Sequence, residues 1–327
     1  MPLSPKGFRE GLEQHLLTVL WRHWTALGVA THVPAEDRYP LDLEALLCAT
    51  LVLSERDGRL DKLVREWLSA NPGQVSASRL TRIWTSFEKT ARSATVELAT
   101  PGKDARIYQW TAGHSLGTGQ PGAGAGESED AHLRASARAG RDVAKTGSTA
   151  APPVWPAAAQ LTLRRLFGVN ARAEVLLHLL SGVTGSSAGI ARATWYDQKA
   201  VYRILESWVL AGQCVKEGNP AGRGYSLTHA TEWHRLLGID GTVAWVDWAS
   251  TLRPLLVLLR AASTTPREDN EYLLSSLMRD LEAPLASTCR LWHVTFPDSR
   301  PCPGAAFFEP AATAVLALAS AVAGEAG

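Results

Sequence analysis

Large apolar side chains recur at helical spacing through the first part of the chain. They repeat every four residues from Leu12 to Trp24, which places them on one face of a helix. The segment Leu43–Leu53 is apolar almost all round, and this composition predicts a buried helix. Two more stripes follow, the second after Ser76, a residue type that can cap a helix. Residues 1–112 are therefore predicted to form a helical N-terminal domain.

The same periodicity returns at the other end of the chain. It predicts a long helix over Val243–Arg260 and a second helix over Asn270–Leu281. A proline-rich connection then leads into a final alanine-rich helix, whose longest apolar run is Ala311–Ala323. Residues 231–327 are therefore predicted to form a helical C-terminal region, and the fold class is predicted to be mainly α.

Residues 113–158 differ in composition from both helical parts. They are rich in glycine, alanine, serine and proline, and they contain few large apolar side chains. Such a segment buries too little apolar surface to offset the conformational entropy that it would lose on ordering. We therefore expect a flexible linker at this point of the chain.

Residues 159–230 combine several patterns in a fixed order. An apolar helix near residues 171–180 is followed by a short helix of small residues, Ser187–Thr194, and by a break of three residues. A longer helix, Gln198–Ala211, then leads into two short strands joined by a glycine-rich tip. This is the order of a winged helix-turn-helix domain, which inserts its last helix into the major groove of DNA.

The helix Gln198–Ala211 carries the side chains best suited to reading DNA. Asp197 precedes it and can accept hydrogen bonds from the free N–H groups of its first turn. With a rotation of about 100° per residue, the apolar side chains of this helix fall on one side. The opposite side carries an amide, a phenol and two cations, which are groups that bind base edges and phosphates. These residues are Gln198, Lys199, Tyr202 and Arg203.

Positive charge is concentrated in the same part of the chain. The 327-residue chain has a net charge of only +1, but residues 161–230 contain eight basic and four acidic side chains, a net charge of +4. The remaining residues carry 25 basic and 28 acidic side chains, a net charge of −3. A DNA-binding surface requires cations that neutralise phosphates. The further candidates for contacts with DNA are Arg164, Arg165, Arg172, Arg192, Lys216 and Arg223.

Residues 161–228 resemble bacterial winged-helix transcription regulators of the broad MarR and ArsR kind. The resemblance is carried by the sequences ARAEVLLHLL, IARATWYDQKAVYRILESWVLAG and GRGYSLT. It implies a recognition helix that presents Gln198, Lys199, Tyr202 and Arg203, and a wing contact from Arg223. We expect a sequence-specific regulator that binds double-stranded DNA as a homodimer, with half-sites roughly 34 Å apart.

A second resemblance concerns the whole arrangement of the chain. The sequence DGRLDKLVREWL near the N-terminus, joined to the central segment and to a helical C-terminal part, is similar to helix-turn-helix proteins encoded beside bacterial nucleotidyltransferase toxins. This resemblance implies an antitoxin-like or defence-system protein, whose winged helix and helical arms bind a partner protein from the same operon. Both functions stay open at this point.

The sequence contains no motif that predicts catalysis, a metal or a cofactor. Cys289, His293 and Cys302 lie close together, but they lack the two tight ligand pairs that are usual in zinc sites. The four cysteines form no CxxC pair, and the N-terminus has no apolar signal-peptide core. The run Ala311–Ala323 is shorter than the roughly 20 residues that span a bilayer. We therefore expect a soluble cytoplasmic protein that is not an enzyme.

Overall fold

The structure is a computed structural model, and its described part is mainly helical with one two-stranded antiparallel sheet. The described residues are 3–29, 31–71, 73–98, 156–218, 224–239, 243–264 and 269–325. In chain order, the elements are α1 (Pro5–Ala26), α2 (Leu43–Leu53), α3 (Arg59–Ala70), α4 (Ala77–Ser93), α5 (Ala159–Phe167), α6 (Ala171–Leu180), α7 (Ser187–Thr194), α8 (Gln198–Leu210), β1 (Cys214–Glu217), β2 (Gly224–Leu227), α9 (Ala230–Leu237), α10 (Trp248–Ala262), α11 (Glu271–Asp280), α12 (Glu282–Leu291), a 3₁₀ turn (Gly304–Phe307) and α13 (Phe308–Ala323).

Helices α1–α4 and α10–α13 pack together into one helical body. Helix α1 lies against α13, and α2 lies against both α4 and α10. The rings of Phe8 and Phe308 meet edge to face with centroids 6.0 Å apart. The indole N–H of Trp248 donates to the carbonyl oxygen of Pro40 at 2.7 Å. Apolar side chains from both ends of the chain thus belong to one continuous core.

This shared core differs from the expected division into an N-terminal domain, residues 1–112, and a separate C-terminal region, residues 231–327. The hydrophobic spacing shows which face of each helix is buried. It does not show which other helix covers that face, and in this protein the covering helices come from the opposite end of the chain.

The predicted faces of the first two helices are confirmed. In α1, the stripe from Leu12 to Trp24 is fully buried, and the Ser4 hydroxyl caps the helix by accepting from the Gly7 N–H at 3.1 Å. Every residue of α2 is buried, which agrees with its largely apolar composition. The Asp42 carboxylate caps α2 by accepting from the Ala45 N–H at 3.1 Å.

Residues 156–239 form a smaller central unit, made of α5–α9 and the β1–β2 hairpin. Most of its apolar side chains form two small clusters, whereas Ala157 and Leu161 belong to the core of the body. The strands are antiparallel, with Cys214 opposite Leu227. The backbone N–H of Tyr225 also donates to the carbonyl oxygen of Gly185 at 2.9 Å, so the segment before α7 pairs with the edge of the hairpin.

One predicted helix begins later than expected. The long helix predicted over Val243–Arg260 starts at Trp248, because Asp247 caps it by accepting from the Ser250 N–H at 3.0 Å. Residues 243–247 are not helical. They place Trp245 against His178 of the central unit, with ring centroids 4.9 Å apart.

The predicted linker, residues 113–158, lies outside the described residues except for its last three positions. Ala157 and Ala158 are buried, and the carbonyl oxygen of Ala157 accepts from the Leu41 N–H at 3.0 Å. The chain is thus packed against the body from Ala157 onward.

The helical stretch Gly304–Ala323 has the length and hydropathy of a possible membrane span. The expectation from sequence used only Ala311–Ala323, but helical structure begins earlier, in the 3₁₀ turn and the first residues of α13. Half of this stretch is buried inside the protein, where α13 packs against α1 and α11. Its apolar composition thus serves the core of the helical body.

Candidate nucleic-acid interface

Helix α7 is fixed at both ends, and a tight turn joins its C-terminal end to α8. The Ser186 hydroxyl caps α7 by accepting from the Gly189 N–H at 3.1 Å. The helix ends at Trp195, whose backbone is left-handed with φ 61°. This conformation is uncommon for a bulky residue and persists only where its surroundings hold it. Here the Trp195 indole N–H donates to the Asp247 carboxylate at 2.9 Å and so ties the turn to the helical body.

Helix α8 begins and ends where its capping residues predict. The Asp197 carboxylate accepts from two backbone N–H groups of the first turn at 2.9 and 3.1 Å. The helix ends at Leu210, and Gly212 follows in the left-handed conformation that stops a helix, with φ 71°. Val201 and Leu205 are fully buried and fix the inner face of α8 against the central unit.

The outer face of α8 presents the four side chains that the sequence predicts. Gln198, Lys199, Tyr202 and Arg203 are all exposed, and 47% of the Tyr202 surface is accessible. Neither Lys199 nor Arg203 forms an ion pair with another residue of the described ranges. The structure therefore brings an amide, a phenol and two cations together on one accessible face.

Lys216, another predicted contact, is engaged within the central unit. Its ammonium group lies 2.6 Å from a carboxylate oxygen of Glu206, and the other oxygen of Glu206 accepts from the Tyr225 hydroxyl at 2.6 Å. This half-buried carboxylate holds β1 and β2 against α8. The charge of Lys216 is thus balanced by Glu206, although its side chain stays partly accessible.

The remaining predicted contacts differ in where they lie. Arg192 is exposed on α7, and Arg172 is exposed on the first turn of α6. Arg165 is exposed on α5, where its guanidinium lies 3.5 Å from the side-chain oxygen of Asn71 in the helical body. Arg223 falls in the hairpin tip, which lies outside the described residues.

Arg164 was expected to contact DNA, and the structure contradicts this. Its side chain is completely buried between the central unit and the helical body. Its guanidinium donates to Glu174 and Glu44, each at 2.7 Å, and to the carbonyl oxygen of Gln74 at 2.6 Å. Because Arg164 lies three residues after the buried Leu161, it falls on the inner face of α5 and cannot reach a phosphate.

Arg164 belongs to a buried ionic network that joins the two parts of the protein. Arg79 of α4 binds Asp42 and Glu44, and it also donates to the carbonyl oxygen of Thr194 at the end of α7, at 2.9 Å. Burial alone would raise the pKa of Glu44, but Arg164 and Arg79 lower it to about 2. For both arginines, burial acts to lower the pKa, and the facing carboxylates outweigh it and raise the pKa. Glu44, Arg79 and Arg164 therefore stay charged at neutral pH.

The pattern of the sequence did not predict this network, although α2 contains one residue that indicates it. Glu44 is the single charged residue within the otherwise apolar α2. A charged side chain is almost never fully buried unless it is paired, so its place in that helix indicates buried cations nearby. The sequence did not indicate which cations, because Arg79 and Arg164 lie 35 and 120 positions away along the chain.

The cysteines and histidine considered for zinc do not form a metal site. Within the described ranges, no group of three or more histidine, cysteine, aspartate or glutamate residues is placed to hold a metal ion. Cys289 is fully buried in the core, and burial raises the pKa of its thiol to about 11. It therefore packs as an apolar side chain.

Comparison of the chain with known protein families, with curated proteins and with solved structures found no match.

Proposed function

We propose that the protein is a sequence-specific transcription regulator that binds double-stranded DNA through a winged helix-turn-helix domain, the central unit. The order of its elements supports this proposal: α6, α7, a tight turn, α8 and then the β1–β2 hairpin. The β-bridge between Gly185 and Tyr225 also ties the segment before α7 to the edge of the hairpin. In this proposal, α8 is the recognition helix.

The outer face of α8 is the observation that carries the proposal. Arginine and lysine form specific hydrogen bonds with guanine, and glutamine pairs with adenine in the same groove. Gln198, Lys199 and Arg203 supply these groups from successive turns of one exposed helix face. Arg192, on the neighbouring helix, and the more distant Arg165 and Arg172 are available for phosphates.

We further propose that the protein acts as a homodimer in the cytoplasm. Two copies related by a two-fold axis would place their recognition helices in half-sites one helical turn apart, roughly 34 Å. The four cysteines are all free thiols in the structure, which suits a reducing compartment.

The proposal is tested by selecting bound duplexes from random oligonucleotides and measuring affinity for the enriched sequence in a salt series. Each phosphate that the protein neutralises contributes about −0.9 to the slope of log K against log salt. We expect Lys199→Ala combined with Arg203→Ala to weaken binding by at least about tenfold and to make the salt slope shallower by up to about 2.

A matched control is available on the helical body. Lys89 and Arg92 are an exposed lysine and an exposed arginine on α4, so Lys89→Ala combined with Arg92→Ala changes the net charge equally. This control is expected to retain the affinity for the selected duplex and its salt slope. Failure to enrich any sequence, or equal losses in the two double variants, would contradict the assignment of α8.

A second candidate function is the binding of a partner protein, as in an antitoxin or a defence system. Three exposed leucines of the central unit are available to such a partner, since Leu166, Leu210 and Leu236 are 61%, 90% and 75% accessible. Stable co-purification with the product of a neighbouring gene, without affinity for any duplex, would favour this function over the first.

A further inference from the structure

An open cleft of about 950 Å³ separates the central unit from the helical body. One side is formed by α7 and the turn that follows it, and the other by residues 244–247 and by α10. Its walls are largely aromatic, and the rings belong to Tyr39, Trp195, Tyr196, Trp245 and Trp292. Ligand sites are commonly concave and apolar with a few convergent polar groups, and this volume lies near their upper limit of about 1,000 Å³.

Three buried polar atoms of the cleft residues have no hydrogen-bond partner within the described part of the protein. They are Nδ1 of His178, Nε1 of Trp245 and Nε of Arg253. Buried polar atoms are nearly always paired in folded proteins, so three unpaired atoms in one cleft are unusual. His178 is only 4% exposed, and it is one of the residues that line the cleft.

The unpaired atoms are mainly donors, and this restricts the ligand. The indole Nε1 and the guanidinium Nε can only donate, so they call for acceptor atoms such as ring nitrogens or carbonyl oxygens. The guanidinium of Arg253 also lies over the Trp195 ring, 5.9 Å from its centroid, and its other end donates to Ser86. The donors thus lie beside flat aromatic surfaces, which suits a planar ring that carries acceptors.

The mouth of the cleft is cationic. Arg82 and Arg192 line it with exposed side chains. The one carboxylate among the lining residues, Asp247, is already bound by the Trp195 N–H at 2.9 Å and by the Ser250 N–H at 3.0 Å. The cleft therefore has flat walls and donors inside, and positive charge at its entrance.

We propose that this cleft binds a nucleotide. The base lies between the aromatic walls and accepts hydrogen bonds from Trp245 and Arg253, and the phosphate lies at the entrance against Arg82 and Arg192. A nucleotide suits this lining because it combines a planar ring that carries acceptors with an anionic phosphate, which matches the aromatic rings, the unpaired donors and the two exposed arginines.

Occupation of the cleft would affect the proposed recognition helix. Trp195 connects α7 to α8, and its indole is part of the cleft wall. A ligand that displaces this ring would change the position of α8 and therefore the affinity for DNA. DNA would then change the affinity for the ligand by the same factor, because the coupling between two binding sites is reciprocal. This coupling rests on the proposed function, whereas ligand binding does not.

Calorimetric titration of the full-length protein, without DNA, tests the proposal. The probes are AMP, GMP, CMP and UMP, each up to about 1 mM, with the corresponding nucleosides, inorganic phosphate and benzoate as comparisons. We expect saturable binding of at least one nucleotide, binding about tenfold weaker for its nucleoside, and no saturable binding of phosphate alone.

Two variants and their controls locate the site. Trp245→Phe retains a ring but removes the N–H, and Arg82→Ala removes a cation at the entrance; each is expected to weaken nucleotide binding by up to about tenfold. Trp21→Phe and Arg92→Ala alter a half-buried tryptophan and an exposed arginine outside the cleft, and they are expected to have no effect. Circular dichroism and thermal unfolding establish that each variant is folded.

The outcomes separate this proposal from the proposed function. Three results would overturn the nucleotide site. The first is that none of the four nucleotides binds saturably, and the second is that Trp245→Phe and Arg82→Ala bind the nucleotide as tightly as the unchanged protein does. The third is that benzoate binds as tightly as the nucleotide. Lys199→Ala combined with Arg203→Ala is expected to leave nucleotide binding unchanged. If this double variant abolished it, the nucleotide would be binding at the outer face of α8, and the cleft would be excluded.

Discussion

The two sides of the central unit contain similar charged residues in opposite environments. On the side that faces the helical body, Arg164 is completely buried and lies between Glu174 and Glu44. On the outer side, Lys199 and Arg203 are exposed on α8. One side holds the protein together, and the other is available to a polyanion.

The comparison shows that exposure, and not residue type, determines what an arginine does. Burying an ion removes its hydration, which costs several kcal/mol unless partners replace the lost interactions. Arg164 meets this condition through two carboxylates and a backbone carbonyl. An exposed cation has no such cost, and it can replace the counterions that are condensed on a phosphate backbone.

The largest effect is expected from removal of Arg164. Arg164→Met keeps most of the side-chain volume but leaves Glu174 buried without its ion-pair partner, so we expect the free energy of unfolding to fall by about 3–5 kcal/mol. Urea unfolding followed by tryptophan fluorescence measures this change. The fraction that remains folded should bind the selected DNA as the unchanged protein does.

The control for this variant is the double variant that combines Arg164→Met with Glu174→Met. Removing the carboxylate together with its partner avoids an uncompensated buried charge, so the double variant should recover part of the loss. A double variant that is less stable than Arg164→Met alone would show that packing, and not the unpaired charge, dominates at this position.

An intermediate effect is expected from pH. Burial lowers the pKa of His178 from 6.5 to about 4, so below pH 6.5 the unfolded chain binds a proton that the native state does not. Stability is then highest above the unfolded pKa and falls as the pH decreases, by about 2 kcal/mol from this residue between pH 7 and pH 5.

Denaturant unfolding at a series of pH values measures this dependence. His178→Phe should lose less stability between pH 7 and pH 5 than the unchanged protein does. His32→Phe, which alters an exposed histidine, should leave the pH dependence as it is. Parallel curves for the unchanged protein and His178→Phe would show that His178 does not cause the loss.

The smallest effect is expected on the outer side of the central unit. Lys199→Ala combined with Arg203→Ala removes two exposed side chains and inserts a good helix former, so the free energy of unfolding should change by no more than about 0.5 kcal/mol. Thermal and urea unfolding check this. A loss comparable with that of Arg164→Met would mean that these cations stabilise the fold, and the contrast between the two sides would then fail.

Local structure was predictable where short-range chemistry decides it. The bounds of α7 match the sequence prediction, and α8 differs only at its last residue. The reason is that Asp197 and Gly212 act on backbone groups within one turn of themselves. The outward position of Gln198, Lys199, Tyr202 and Arg203 likewise follows from helical spacing alone.

Contacts between distant parts of the chain were not predictable. The positive charge of Arg164 predicts a contact with DNA. Its partner Glu44 lies 120 positions away along the chain, so the sequence does not indicate that this charge is buried and paired. The contact between Trp245 and His178 of the central unit is likewise absent from any local pattern. The residues that line the cleft come from five separate segments, so they meet only in the folded chain.

The body assembled from both ends of the chain has a practical consequence for dissecting this protein. A truncated fragment that stops before α10 would expose the apolar faces of α1 and α2, which α13 and α10 cover in the intact chain. Such a fragment would be prone to aggregation, and so would the complementary C-terminal piece. Because the body is built from both ends of the chain, only coexpression of both ends would keep these apolar faces covered.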